Sequence, residues 1–304
     1  MHVLLIAGGW SDEREVSLSG AEKIHGALNE LGHDVTFFDP ADNFKNLLSI
    51  AKDADFAFIN LHGTPGEDGL IQAVLDKAGC AYQGAGAAAS YLALNKAASK
   101  EVFEDRGVPT PAWQIITPTQ GLQAPLELKL PVFVKPNKGG SSLGMSMVKT
   151  IEEFPAALEK VFAMCQSALV EEFIPGVELT SGILGDKPLP LVMITPKGNA
   201  DFFDYENKYA ADGAEEVCPA PVSKEVTETI QNFMLTAHTA LGLTGYSRGD
   251  FILDEDGTPH LLEINTLPGM TVTSLLPRAA NAIGLSFADL IAELIRLGTE
   301  ERAQ

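Results

Sequence analysis

Apolar runs at Val3–Ala7, Val35–Asp39 and Phe56–Leu61 alternate with segments of helical period at Ser17–Leu31 and Leu70–Lys77. Short apolar runs predict buried strands, and apolar residues three or four apart predict helices laid on them. The opening segment therefore reads as βαβ units around a parallel sheet. Ligands gather at the carboxyl ends of the strands in such open sheets, so the loops Gly8–Val16 and His62–Gly69 are expected to line a cleft. From about Asn95 the pattern turns to α+β: a helix at Lys96–Arg106, an apolar strand ending at Lys135, a second strand beyond a glycine-rich loop, a helix at Ile151–Gln166 and a strand at Ala168–Ile174. Further strands start near Ser181, and apolar helical spacing closes the chain at Leu275–Leu297. These shifts divide the chain into segments 1–93, 94–180 and 181–304, with no internal repeat, low-complexity tract or coiled-coil heptad.

Composition adds limits rather than detail. A chain of 304 residues with 45% hydrophobic content can build real cores in two or three domains. With 21 basic against 41 acidic residues, the net charge of -20 repels nucleic acid and anionic membrane, so neither is expected as a partner. Cys80, Cys165 and Cys218 form no C-x-x-C pair, which argues against a disulfide framework or zinc site and fits a reducing cytoplasm. The first strand begins at Val3 with no basic, signal-like stretch and no apolar run long enough to span a bilayer, so neither secretion nor insertion is expected. None of the histidines has H-E-x-x-H spacing, and only His62, in the second cleft loop, is singled out.

Candidate chemistry concentrates in a few stretches. Arg248–Met270 reads as a β-hairpin turning at Asp254–Gly257. Alternation along a strand puts Glu263 and Asn265 on one face and sends Leu262 and Ile264 into the core, and the turn folds Asp250 back beside the first pair. Two carboxylates and an amide suit Mg2+, which takes oxygen donors and keeps its other positions for water or substrate phosphate. An ordinary hairpin with solvent-facing acids fits this stretch equally well when it is taken alone. The run Leu130–Val148 adds a strand ending in Lys135, a loop rich in glycine and serine, and a second strand. Glycines allow backbone N–H groups to approach phosphate oxygens, with Lys135 as a point charge. Gly140-Ser-Ser-Leu-Gly144 matches a G-x-S-x-G nucleophile elbow only in letters, because an elbow leads into a helix and this loop leads into a strand. It lacks P-loop spacing as well. Lys96, Lys135, Lys138, Lys208 and Arg248 are candidates to hold an anionic substrate such as ATP against the acidic whole. Glu171 and Glu178 flank a Pro-Gly turn, where carboxylates accept hydrogen bonds from a ribose or an adenine amine; solvent exposure is the competing explanation. Glu13 and Glu15 sit near a helix start, which by itself accounts for at least one of them.

In order, Asp12–Ser17, Leu61-His-Gly63 with Gly66-Glu-Asp-Gly69, Lys96, Val134-Lys-Pro136 with Gly140-Ser-Ser142, Tyr205–Tyr209, Cys218-Pro-Ala220 and Leu262–Met270 resemble the D-alanine-D-alanine ligase family of the ATP-grasp superfamily over nearly the whole length. The resemblance implies an α/β N-terminal parallel-sheet domain followed by α+β ATP-grasp domains, ATP held between the latter two, and a homodimer. It implies ligation of two D-alanines through an acyl phosphate for peptidoglycan biosynthesis. By position, Glu13 would meet the ammonium of the first D-alanine with His62 beside it. Lys96, Lys135, Glu171, Glu172 and Glu178 fall at nucleotide-binding positions. Lys208, on a loop that closes over the site, would contact the γ-phosphate, and Tyr209 would join Ser141 and Glu13. Asp250, Glu263 and Asn265 would hold two Mg2+ ions, or Mn2+. Arg248 would stabilise the acyl phosphate and tetrahedral species, while Gly269 and Ser274 would hold the second carboxylate. Acyl phosphates hydrolyse, so the segments 202–217 and 139–144 are expected to close together.

The chain departs from the family pattern at Glu172, where many members have lysine, at Asn95, at Leu267 and in Gly213–Val217, which lacks a frequent aromatic. None of these removes a catalytic ligand; the change at 213–217 touches loop docking and second-substrate choice, leaving a related ligase with another amino or hydroxy acid as the alternative. Tyr209 in place of phenylalanine resembles members that make the dipeptide rather than the ester. A nucleotide-binding regulator without chemistry is the remaining alternative, hinted at only by residues 213–217.

Overall fold

The computed structural model describes residues 1–140, 144–164, 166–196, 214–271 and 273–303. Strands β1 (His2–Ala7), β2 (Asp34–Phe38), β3 (Phe56–Asn60) and β4 (Ala81–Tyr82) form a parallel sheet in the order β2-β1-β3-β4. Its connections include α1 (Arg14–Glu30), the short helices α2 (Pro40–Asn43) and α3 (Leu47–Ala51), and α4 (Leu70–Ala78). The βαβ reading of the opening segment is thus the observed architecture. Val3 to Ala7 are fully buried because a parallel sheet covered on both faces needs apolar side chains on each.

Helices α5 (Ala87–Leu94) and α6 (Lys96–Asp105) lead to a four-stranded antiparallel sheet, β5-β8-β6-β7, made of β5 (Trp113–Ile116), β6 (Val132–Pro136), β7 (Ser146–Val148) and β8 (Ala168–Glu172). One turn of 3-10 helix at Ile151–Glu153 and α7 (Phe154–Phe162) cover it, a shorter helix than the sequence suggests. β6 and β7 pair with each other, so strands flank the glycine-rich loop on both sides, as expected.

The third sheet is antiparallel, in the order β12-β11-β9-β13-β14, with β10 (Lys187–Pro188) paired to β9. It contains β9 (Gly176–Leu184), β11 (Val192–Pro196), β12 (Ala214–Val217), β13 (Tyr246–Asp254) and β14 (Pro259–Asn265). Helix α8 (Lys224–Ala240) packs on it, and α9 (Leu275–Ala282) and α10 (Phe287–Arg302) close the chain. The expected division at residue 180 falls inside β9, which belongs wholly to this sheet, so the chain changes sheets at residues 173–175.

The cores cut across the linear segments. α5 and α6 join the third sheet, with Ala93, Phe103 and Val108 packed among Leu179, Ile183, Met234, Phe251 and Leu261. Conversely, Leu276, Ala279, Leu290, Ile291 and Leu294 of the last two helices share one core with the first sheet. This interlocking sets the N-terminal loops against the mouth of the β13–β14 hairpin.

Candidate active site

The loop after β1 is shaped by Asp39, which accepts from the Gly9 N–H (2.9 Å) and pairs with Arg14. Gly8 has φ +88°, and a Cβ there would lie 2.3 Å from an Asp39 oxygen, so only glycine serves. Ser17 Oγ accepts from Gly8 N–H and donates to the Asn60 carbonyl, while Asn60 Nδ2 donates back to Ser17 O (2.7 Å). These bonds tie the ends of β1 and β3 together and aim Glu13 and His62 at the same space. Glu67 accepts from the Gly63 N–H (2.7 Å) and folds the second loop inward.

Glu13, His62 and Glu67 face Glu178, Arg248, Asp250, Glu263, Asn265, Gly269 and Ser274 across a cleft that opens to solvent. Burial, reinforced by Glu13, pushes the Glu67 carboxyl up to about 8. Burial also lowers the His62 pKa; Glu13 opposes this and Arg248 adds to it. His62 is hydrogen-bonded to the Leu267 backbone, and its Nε2 finds no hydrogen-bond partner among the described residues. At the other end Ser274 Oγ accepts from Thr271 N–H (2.8 Å), and a Cβ on Gly269 would lie 2.8 Å from that hydroxyl. Gly140, at the start of the loop after β6, comes close to Glu13, where a Cβ would lie 3.2 Å from Oε2.

The hairpin pairs Arg248 with Asn265 and Asp250 with Glu263, and then slips, so that Phe251 faces Leu261. Leu262 is therefore the extra residue of a β-bulge. The simple alternation that sends Leu262 into the core needs correction: the bulge shifts the phase, Leu261 is fully buried beside Ile264, and Leu262 is only partly covered. The guanidinium of Arg248 grips Asp250 through two bonds, Nε to Oδ1 and Nη2 to Oδ2, each 2.8 Å. Asn265 Nδ2 donates to Asp250 Oδ2 (3.1 Å), and Lys96 Nζ lies 3.2 Å from Glu263 Oε2. Two carboxylates and an amide thus share one face with cations already balancing them, an oxygen donor set that suits a hard divalent cation.

Behind the hairpin, Phe133 of β6 is in register with Glu171 of β8, which places Glu171 diagonal to Lys135 on the same sheet face. Glu171 takes Lys135 on one oxygen and Lys100 on the other, the latter at 2.5 Å. Burial opposes every one of these charges. The two ammonium groups nonetheless hold the Glu171 carboxyl below its ordinary range. Glu171 and Glu263 raise Lys135 despite its burial, whereas burial and the neighbouring Lys135 keep Lys100 below the usual lysine value. Alternation along β8 turns Glu172 to the opposite face from Glu171, so of this pair only Glu171 meets Lys135. Lys96 also donates to the Gly139 carbonyl, while Lys138 is occupied at the rim by the hydroxyl (2.8 Å) and ring of Tyr91.

Ser141, Lys208 and Tyr209 lie outside the described residues, as do most of the two segments expected to close together. The sequence reading missed Lys100, Glu67 as a buried acid, and Glu216 of β12, which lines the cleft and pairs with Arg278 of α9 (2.8 Å). A signal for Lys100 existed, since it follows Lys96 by one helical turn.

A parallel-sheet domain placed over two antiparallel sheets, with an arginine and paired carboxylates in the cleft and lysines on the carboxylates Glu263 and Glu171, defines an enzyme of the ATP-grasp class. The family described as "D-ala D-ala ligase C-terminus" matches residues 102–296. The D-alanine–D-alanine ligase of Maridesulfovibrio salexigens is 59% identical over 99% of this chain and 100% of its own length, and that of Nitratidesulfovibrio vulgaris 58% over 98% of each. Among solved structures, the ATP complex of the Bacillus anthracis D-alanine–D-alanine ligase superposes with TM-score 0.86 at 30% identity, covering 100% of this chain and 99% of that one. The VanG D-Ala:D-Ser ligase of Enterococcus faecalis gives 0.85 at 27%, covering 97% and 98%. The chain belongs to the D-alanine–D-alanine ligase family.

Proposed function

We propose that this chain uses ATP to join two D-alanines into D-alanyl-D-alanine for peptidoglycan synthesis, releasing ADP and phosphate. The observation that carries this reading is the cleft itself: the Arg248–Asp250–Glu263–Asn265 face of the hairpin stands opposite Glu13 and His62, with Gly269 and Ser274 at one end. Full-length relatives at up to 59% identity that bear the ligase name support it.

A carboxylate is a poor electrophile, so the first D-alanine carboxylate attacks the γ-phosphorus of ATP, ADP leaves, and an acyl phosphate forms. Phosphoryl transfer of this kind needs positioning and charge neutralisation above all. Lys96, Lys135 and Arg248 supply the cations, while Glu171 and Glu178 accept hydrogen bonds from the nucleoside. Asp250, Glu263 and Asn265 would hold Mg2+, which supplies charge neutralisation at the phosphates. Glu13 binds the first ammonium with His62 beside it, and Gly269 with Ser274 receives the second carboxylate. The second amine then attacks the acyl carbon, Arg248 stabilises the tetrahedral oxyanion, and phosphate departs. Holding the two amino acids in line contributes on the order of 7 to 11 kcal/mol. Lys208, Tyr209 and Ser141 are assigned to the γ-phosphate and to the hydrogen-bond network around Glu13.

No helix among the described residues is long and apolar enough to cross a membrane. We assign the enzyme to the cytoplasm, where ATP is available and isolated thiols stay reduced, and to a homodimer that light scattering would verify. ADP release dependent on D-alanine, with the D,D-dipeptide identified by mass, tests the activity. Release that ignores D-alanine, or yields another product, overturns it.

A further inference from the structure

Among the described lysines of this site, Lys100 is the one too buried to touch a ligand. Its side chain is 0% exposed, against 13% for Lys135. Lys100 Nζ lies 2.5 Å from Glu171 Oε1 and donates to Thr110 Oγ1, also at 2.5 Å. Thr110 Oγ1 in turn donates to the carbonyl of Leu261 in β14 (2.7 Å), and the Leu261 N–H donates to Pro109 O (2.8 Å). Lys100 therefore spans from the sheet that carries Glu171 to the strand that carries Glu263.

One buried carboxylate here holds two ammonium groups, although one suffices to neutralise it. Of the two, Lys135 feels both hairpin carboxylates, Glu263 and Asp250, and is partly exposed, whereas Lys100 is held by Thr110. We propose that Lys100 is a positioning residue whose permanent pairing with Glu171 leaves Lys135 able to exchange that carboxylate for a nucleotide phosphate. If Lys135 were the only partner, its departure would strand a buried anion, and breaking a buried pair from one side is strongly unfavourable. With Lys100 fixed, Glu171 stays paired when Lys135 moves, and its orientation toward the nucleoside is kept. This inference rests on the assignment of Lys135 and Glu171 to the nucleotide.

Steady-state kinetics of wild type, K100M, T110V, E171Q and K100M/E171Q provide the test. D-alanine-dependent ADP release by the wild type is measured first, and its absence would defeat the functional reading rather than this one. K100M is expected to raise KM for ATP by about tenfold or more, with KM for D-alanine within about twofold of wild type. T110V, which removes the second acceptor of Lys100 together with the Thr110 bond to the Leu261 carbonyl, should shift KM for ATP in the same direction by less. Once Glu171 is uncharged Lys100 has nothing to neutralise, so E171Q and K100M/E171Q should share one KM for ATP. A purely structural lysine would instead lower kcat or disturb both substrates together, with costs that add in the double variant, and that result overturns the proposal. Should K100M fail to fold, T110V and the comparison of E171Q with the double variant decide. An unchanged KM for ATP in T110V, or a further loss in the double variant, overturns it.

Discussion

Arg248 and Asp250 are two residues apart on one strand and so share a face, where the planar guanidinium matches both carboxylate oxygens. A lysine ammonium reproduces the charge but not the fork. R248A should lower kcat by about 10²- to 10³-fold, the usual cost of removing one transition-state donor, and R248K should recover only part of it. Steady-state rates check both, with circular dichroism to show the fold intact. Glu67 makes a prediction about pH. Its folded pKa of about 8 lies above its unfolded value, so its contribution to stability is full below the unfolded pKa and is lost as pH rises through about 8. E67Q should therefore show a flatter decline of Tm than wild type between about pH 4.5 and 8, and parallel profiles would refute the buried acid. His238 works in the other direction: burial lowers it to about 4, so its contribution is present above its unfolded pKa and is lost as pH falls toward 4. Much of the cleft was legible residue by residue, because Asp250, Glu263 and Asn265 carry metal-type donors at strand spacing and Lys135 ends an apolar strand. Lys100 and Glu67 were not, since a helix lysine and a loop acid look alike whether they face water or a buried partner.

At the level of elements, the β13–β14 hairpin shows how one bulge changes the meaning of a sequence. Strict alternation assigns Leu262 to the core and Leu261 to the face of Glu263, yet the slip between Asp250 and Phe251 reverses the two. Leu261→Ala should cost about 2–5 kcal/mol in urea unfolding, whereas Leu262→Ala should cost less than about 1 kcal/mol. Equal costs would contradict the bulge. The parallel-sheet strands and the hairpin were readable because their periods are 2 or their apolar runs are short and bounded. Helix α5 was not, as Ala87–Leu94 is apolar nearly all round and has no amphipathic face to announce it. The start of β9 at Gly176 was hidden as well, because the Pro-Gly turn before it reads as a turn within one sheet as easily as a passage between two.

For the whole molecule, sequence order and packing part company. Helix α10 ends the chain but seals the first sheet: Arg302 donates to the carbonyls of Tyr82 (2.7 Å) and Gly84 (2.9 Å), and its guanidinium lies 3.4 Å from the Tyr82 ring centroid. Gly298 permits this contact, since a Cβ there would lie 2.4 Å from the Tyr82 carbonyl. Gly298→Val should therefore loosen the N-terminal sheet, seen as faster hydrogen exchange in β3 and β4, although the substitution is more than two hundred residues away in sequence. No local pattern predicts such closure, because helical periodicity tells that a face is apolar but not which sheet will cover it. The closure matters for function because it holds Glu13 and His62 opposite Arg248, so that one cleft can present a carboxylate to the γ-phosphate of ATP. That central claim is tested most directly with D-alanine labelled with oxygen-18 in its carboxylate. One labelled oxygen should appear in the phosphate released for each dipeptide formed, because the carboxylate oxygen that attacks phosphorus leaves with it. Phosphate free of label alongside dipeptide formation would contradict it.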